Sequence, residues 1–201
     1  MMIDPAYTNY ISFAERVGRK TVTVKRHLGD SGKFGLPELE KIEEIIKAND
    51  PGALLVIPYD NPTGQLYDMD TMKKLAELCV KYNLWMVSDE AYRELYYIDN
   101  GGLVSIWGIT DADVPGIEGR RISIETASKV WNACGLRIGA LITDSAEFNT
   151  RAQAEYTANL CANAIGQYIF GALAHQTKGQ IQTWCTDLRN YYGDTIKRVS
   201  A

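Results

Sequence analysis

Apolar runs that stop abruptly at polar residues recur through the first two-thirds of these 201 residues, and stretches with helical spacing lie between them. ALLVIPY (53–59) leads into Asp60-Asn61-Pro62-Thr63-Gly64, LWMVSDE (84–90) turns acidic within three residues, and RRISIETAS (120–128) leads into Lys129. Runs this short and this apolar suit strands covered on both faces. KTVTVKR (20–26) alternates β-branched and polar residues, as a strand with one buried face does, and LRIGALIT (136–143) is a further strand. Strand–helix–strand order predicts an α/β fold, a mostly parallel sheet flanked by helices on both faces. Ligands of such sheets gather beyond the carboxyl ends of the strands. Three of the strands end in chemistry: PYDNPTG, SDEAY and ETASK.

The helices between them are read from period and punctuation. LPELEKIEEIIKAND (36–50) carries apolar residues at Leu36, Leu39, Ile42, Ile45 and Ile46, with Pro37 suited to a first turn and Pro51-Gly52 closing the segment. Its charge run, Glu38–Lys47, reads as a solvated face with i,i+4 pairing. Asp70 is placed to cap TMKKLAELCVKYN, whose apolar face is Met72, Leu75, Ala76, Leu78, Cys79 and Tyr82. From Asn149 the chain turns Ala-rich and helical, with Gly166, Gly171 and Gly179 as breaks. A final helix carries Ile181, Trp184, Leu188, Tyr191 and Tyr192 on a rough stripe. This divides the chain into 1–148 and a helical continuation, 149–201. Neither end carries a natural stop: PAYTNY follows only four residues, and the last helix has no glycine or proline after it. The expectation is an interior portion of something larger.

Composition narrows the function classes. A net charge of −4 offers no general nucleic-acid surface, which needs a basic patch. No apolar run approaches eighteen residues and no basic-then-apolar leader opens the chain, so neither a membrane nor a secretory reading is favoured. Cys79, Cys134, Cys161 and Cys185 form no CxxC pair, and with only His27 and His175 beside them no zinc cluster is expected. A reduced, cytoplasmic compartment fits.

Taken singly, the polar residues at the strand ends are ambiguous. Asn61–Gly64 reads as a plain turn, Asp89 as a helix cap, Lys129 as a surface lysine and Arg137 as an ion-pair residue. Their order is more informative: an amide at one strand end, a carboxylate and a phenol at the next, then a lysine and an arginine after a third. That set complements a flat, anionic, carbonyl-bearing cofactor. A nucleotide-binding domain is disfavoured, because neither GxGxxG nor GxxxxGK[ST] occurs.

In this order the motifs resemble those of the class I/II aminotransferases, the fold-type-I enzymes dependent on pyridoxal phosphate. Asn61-Pro62-Thr63-Gly64 is similar to the family's asparagine turn and Ser88–Tyr92 (SDEAY) to its aspartate–tyrosine signature. Thr126-Ala127-Ser128-Lys129 followed by Trp131–Gly139 resembles its lysine attachment motif, with threonine in first place. PAYTNYISFAERVGRK resembles the segment that carries an aromatic residue over the cofactor. The likeness spans almost the whole chain and implies an incomplete aminotransferase-like large domain.

By that resemblance Lys129 attaches the cofactor through its amine and, once released, removes and returns the substrate's α-proton. Asp89 pairs with the pyridine nitrogen, and Asn61 and Tyr92 donate to the ring's phenolic oxygen. Arg137 and Thr126 hold the phosphate, with Ser128 a further donor, and Tyr7 stacks on the ring, while Tyr10 reads as structural. Trp131 and Cys134 are expected to pack around the attachment loop. The family's Gly-rich phosphate turn and its C-terminal arginine for the substrate carboxylate have no counterpart here. The expected function of the complete enzyme is therefore transfer of an amino group from an amino acid to a 2-oxo acid, with the aspartate/2-oxoglutarate pair as one option, by a homodimer. The isolated chain is expected to be inactive or very weak. A pyridoxal-phosphate-dependent lyase or synthase and a noncatalytic fragment or interaction protein are the alternatives.

Overall fold

The computed structural model describes residues 1–98 and 102–200. Six strands form one sheet: β1 (Met2–Asp4), β2 (Thr23–Lys25), β3 (Ala53–Val56), β4 (Trp85–Asp89), β5 (Arg121–Thr126) and β6 (Gly139–Thr143), in the spatial order β2-β1-β3-β4-β5-β6. All neighbours are parallel except β5 and β6, which run antiparallel with Thr126 opposite Gly139. The sheet is mostly parallel, as its apolar strands predict. The segment before PAYTNY is itself a strand: β1 lies between β2 and β3, with Met2 in register with both Thr23 and Leu55.

Helices α1 (Asn9–Arg16), α2 (Leu39–Asn49) and α3 (Met69–Lys81) fill the connections, and α4 (Ala146–Ala158), α5 (Ala164–Gly171) and α6 (Lys178–Ser200) follow the sheet. One face of the sheet carries the main core. Ile3, Val24, Leu54, Val56 and Met86 meet Ile42 and Ile46 of α2 and Met72, Leu75 and Cys79 of α3, all buried. The opposite face is more thinly covered: Met2, Ala6 and Ile57 pack with Tyr10 and Ile11 of α1. Fully burying side chains of this size is worth roughly 1.5–3 kcal/mol each, so α2 and α3 are held by their apolar stripes. At the far edge, β6 is exposed along most of its length. Among the described residues, no helix is long and apolar enough to cross a membrane.

Several boundaries differ from those read by pattern. Pro37 precedes the first turn of α2 instead of lying in it, because Glu38 is the residue with extended ψ at the boundary. The helix ends on Asp50, which adopts a left-handed conformation (φ 45°) before Pro51. Gly166 sits inside α5 instead of breaking the chain; the interruption falls between α4 and α5, where Leu160 has φ 66°.

The cap of α3 is Asp68, not Asp70. Asp68 has extended backbone, and its Oδ1 accepts from the Thr71 N–H at 2.7 Å, whereas Asp70 lies within the first turn. Asp68→Ala is expected to lower stability by about 1 kcal/mol and Asp70→Ala by only a few tenths, as urea unfolding at neutral pH would show. The Thr71 N–H also holds the Asp68 carboxyl below its ordinary range. The cap's contribution is therefore full above the usual carboxylate range and is lost as pH falls through that lowered value. Repeating the unfolding in acid should shrink the difference between wild type and Asp68→Ala.

Candidate functional site

The ends of β3, β4 and β5 open into one cleft of about 950 Å³. Asn61, Tyr92, Ser128 and Lys129 all line it, although they come from three separate connections. Each is delivered by a tight local structure. Asn61 rides on a turn in which the Gly64 N–H donates to the Asp60 carbonyl at 2.9 Å and the Asp60 N–H to the Gln65 carbonyl at 2.8 Å. Gly64, at φ 70°, supplies the left-handed conformation that this turn requires. The Lys129 ammonium lies 5.5 Å from the centroid of the Tyr92 ring, within range of a cation–π attraction.

Asp89, the last residue of β4, is buried and fixed by two donors. The Ala91 N–H reaches Oδ1 at 3.0 Å, and the Tyr10 hydroxyl reaches Oδ2 at 2.5 Å. Tyr10 thus belongs to the carboxylate's surroundings, a role beyond the structural one read from sequence. Burial, reinforced by the Asp89 charge, pushes its phenol far above the ordinary range, so it remains a donor. At the end of β5, the Thr126 hydroxyl donates to the Ser128 Oγ at 2.9 Å and accepts from the Ser128 N–H at 3.1 Å. Those contacts pair the two hydroxyls that stand three residues and one residue before Lys129.

Tyr7, Asp89, Thr126 and Arg137 are not among the residues lining the cleft. Tyr7 is 40% exposed; its hydroxyl accepts from the Asn9 side-chain amide at 2.7 Å, and its ring meets Tyr10 edge to face with centroids 5.9 Å apart. Arg137 has a left-handed backbone (φ 54°), and its guanidinium donates to the Cys134 carbonyl at 2.9 Å. Cys134 is exposed instead of packed. Trp131 packs edge to face on Phe170, with centroids 6.0 Å apart. From the far end of the chain, α6 returns to the cleft and places Tyr192 and Ile196 on its wall. That helix is tied down by Arg189, which pairs with Glu94 at 2.8 Å and lies over the Tyr96 ring.

Two buried charged groups beside the cleft were not singled out by sequence. Glu90, directly after Asp89, accepts from the Ser88 hydroxyl (3.0 Å), Arg93 (2.8 Å), the Ser105 hydroxyl (2.7 Å) and the Ile106 N–H (2.7 Å). Arg93 bridges onward to Glu125 at 2.8 Å. Burial, partly offset by Arg93, pushes the Glu125 carboxyl up. The second group is Arg26, which forms a buried ion pair with Asp60 at 2.7 Å. The period-two alternation held the signal for both. Glu90 falls on the face of Met86 and Ser88, and Arg26 on the face of Val24; all five residues are buried.

Comparison with known proteins gives this arrangement a context. The family described as "Aminotransferase class I and II" matches residues 1–199. The chain is 30% identical to the 2-aminoadipate transaminase of Thermus thermophilus, over 82% of this chain and 39% of that protein. N-Succinyldiaminopimelate aminotransferase from Mycobacterium tuberculosis superposes with a TM-score of 0.82 at 25% identity, covering 99% of this chain and 48% of that one. The PLP-bound C-S lyase from Staphylococcus hominis also superposes at 0.82, with 15% identity over 99% of this chain and 47% of the other. The chain therefore spans about two-fifths to one-half of the length of these relatives.

Proposed function

Because the chain belongs to the class I and II aminotransferase family, we propose that its cleft holds pyridoxal 5'-phosphate and serves amino-group transfer from an amino acid to a 2-oxo acid. The observation that carries this reading is the convergence of Lys129, Asn61, Tyr92 and Ser128 on one cleft. The donor set suits the cofactor: an amine for its carbonyl, an amide and a phenol for its phenolic oxygen, and hydroxyls for its phosphate. When bound, the cofactor supplies a conjugated ring that takes up the electron pair left when the substrate's α-carbon loses its proton.

The side chains do the rest. Lys129 attaches the cofactor and, once released and neutral, takes the proton from the substrate's α-carbon. Asp89 keeps the ring nitrogen protonated, its orientation set by the Tyr10 hydroxyl and the Ala91 N–H. Asn61 and Tyr92 donate to the phenolic oxygen. Thr126, Ser128 and Arg137 would hold the phosphate. Tyr7 would supply the aromatic face for the ring. The same reading makes the complete protein a cytoplasmic homodimer acting on amino acids and 2-oxo acids, with aspartate and 2-oxoglutarate as one candidate pair.

Product analysis tests the reaction. With the cofactor-loaded chain and an excess of amino acid, the expected result is up to one equivalent of 2-oxo acid per chain, with the cofactor left as its amine. Lys129→Ala should abolish this conversion. Both this single conversion and sustained turnover are expected to be very slow in these 201 residues, because no arginine is among the described residues lining the cleft to clamp a substrate carboxylate. Robust multiple-turnover 2-oxo acid production would overturn that expectation. A C–S lyase is the second reading, favoured by the equal superposition on the Staphylococcus hominis enzyme. A thiol, ammonia and a 2-oxo acid released from a cysteine thioether, without a second 2-oxo acid, would support it.

A further inference from the structure

Arg26 is the most heavily committed buried cation beside the cleft, and nothing in the proposed chemistry uses it directly. It follows β2, and its backbone N–H donates to the Asp4 carbonyl at 2.8 Å. Its side chain is 1% exposed and that of its partner Asp60 is fully buried. One guanidinium nitrogen donates to Asp60 Oδ2 at 2.7 Å and to the Thr63 hydroxyl at 3.2 Å. The other donates to the Tyr67 hydroxyl, and the guanidinium also lies over the Tyr67 ring, 5.3 Å from its centroid. The Thr63 hydroxyl in turn donates to Asp60. Asp60, Thr63 and Tyr67 bracket Asn61, and Tyr67 closes the segment by donating its N–H to the Pro58 carbonyl at 2.9 Å.

We propose that Arg26 is a positioning residue: its buried clamp on Asp60, Thr63 and Tyr67 fixes the 59–67 turn and thereby the place of the Asn61 amide on the cleft wall. A buried ion pair is a weak source of net stability, since desolvation of two charges offsets their attraction. Placing one here makes sense for geometry, because a planar fork holds several acceptors in fixed directions as a lysine ammonium cannot. Among the described residues, the Arg26 Nε and Asp60 Oδ1 atoms are buried without a partner. Saturated hydrogen bonding is therefore not what the pair achieves. It joins the edge of the sheet to a turn 34 residues further along the chain.

The link to chemistry rests on the proposed cofactor reading. A donor held on the phenolic oxygen competes with the proton on the neighbouring nitrogen of the Lys129 linkage. Asn61 in place therefore favours loss of that proton. Displacing Asn61 should raise the pH midpoint at which the visible band of the Lys129-linked cofactor changes, by roughly half to one unit for one lost hydrogen bond.

Two readouts test this on the whole chain. In the cofactor-free protein, amide hydrogen exchange is followed over residues 58–67 and over β4 and β5. In the loaded protein, the absorbance midpoint is measured. Arg26→Met is the direct variant, and the double variant Arg26→Met/Asp60→Leu removes the orphaned buried charge in case the single variant does not fold. Exchange at least tenfold faster in 58–67, little changed in β4 and β5, and a raised midpoint are the expected results. Unchanged exchange in the turn, acceleration spread equally over the whole sheet, or faster turn exchange with an unmoved midpoint would overturn the proposal. If wild type forms no adduct on Lys129, the cofactor reading fails by itself. The exchange comparison still decides whether Arg26 holds the turn.

Discussion

Incubation of the folded chain with pyridoxal phosphate followed by borohydride is expected to leave one covalent label, on Lys129, and Lys129→Arg is expected to lose it. A lysine reacts with a carbonyl only as the free amine, and several surface lysines are poorly suited to that state. Lys47, Lys73 and Lys81 sit on carboxylates, Lys47 and Lys81 on Glu43 and Lys73 on Asp113. Those partners raise the pKa of all three and keep them protonated. Lys129 instead lines the cleft with Ser128 and Asn61, where a bound carbonyl would be held against its amine. Peptide mapping reads the outcome. A label spread over surface lysines, or a specific label elsewhere in a demonstrably folded sample, would remove Lys129 from the proposed role.

Glu90→Ala is expected to cost about 3–5 kcal/mol in urea unfolding, among the largest single-residue effects in the chain. The carboxylate is fully buried and takes four hydrogen bonds, from Ser88, Arg93, Ser105 and the Ile106 N–H. Removing it strands a buried backbone donor and two hydroxyls. Arg93 keeps only its ion pair with Glu125 and its long contact with the Ser105 hydroxyl at 3.3 Å. The exposed pair Arg151–Glu147 on α4 offers the contrast: Glu147→Ala should change stability by less than about 0.5 kcal/mol. A loss below about 1 kcal/mol for Glu90→Ala would show that the network relaxes around the gap. Because Asp89 and Tyr92 flank this network, the same variant should also weaken cofactor binding.

What could be read from sequence was what repeats. The apolar stripe of α3 (Met72, Leu75, Ala76, Leu78, Cys79) is buried as its spacing predicts, and the three runs ending in polar residues became β3, β4 and β5. Motif order located Asn61, Tyr92, Ser128 and Lys129, which meet in one cleft. What was hidden depends on few residues or on distant ones. Three residues are too few for β1 to show a period. Asp68 and Asp70 are the same residue type two positions apart, and only backbone conformation decides which one caps. The Arg26–Asp60 pair joins residues 34 apart, and an arginine after an amphipathic strand looks like surface unless the alternation is followed one residue further. The direction of β6 was also unreadable, because an apolar run has the same pattern in both orientations.

The position of β6 has a consequence for handling the protein. As the last strand of the sheet it presents Leu141 and Ile142, 51% and 42% exposed, and its five residues, Gly139–Thr143, include no charge and no proline. Natural sheets blunt such borders with lysine, proline or a bulge, since a bare border templates the addition of strands from other molecules. Self-association of the 201-residue chain is therefore expected to rise with its concentration, as light scattering across a dilution series would show. Dilute samples and short incubations are the conditions under which its cleft can be studied.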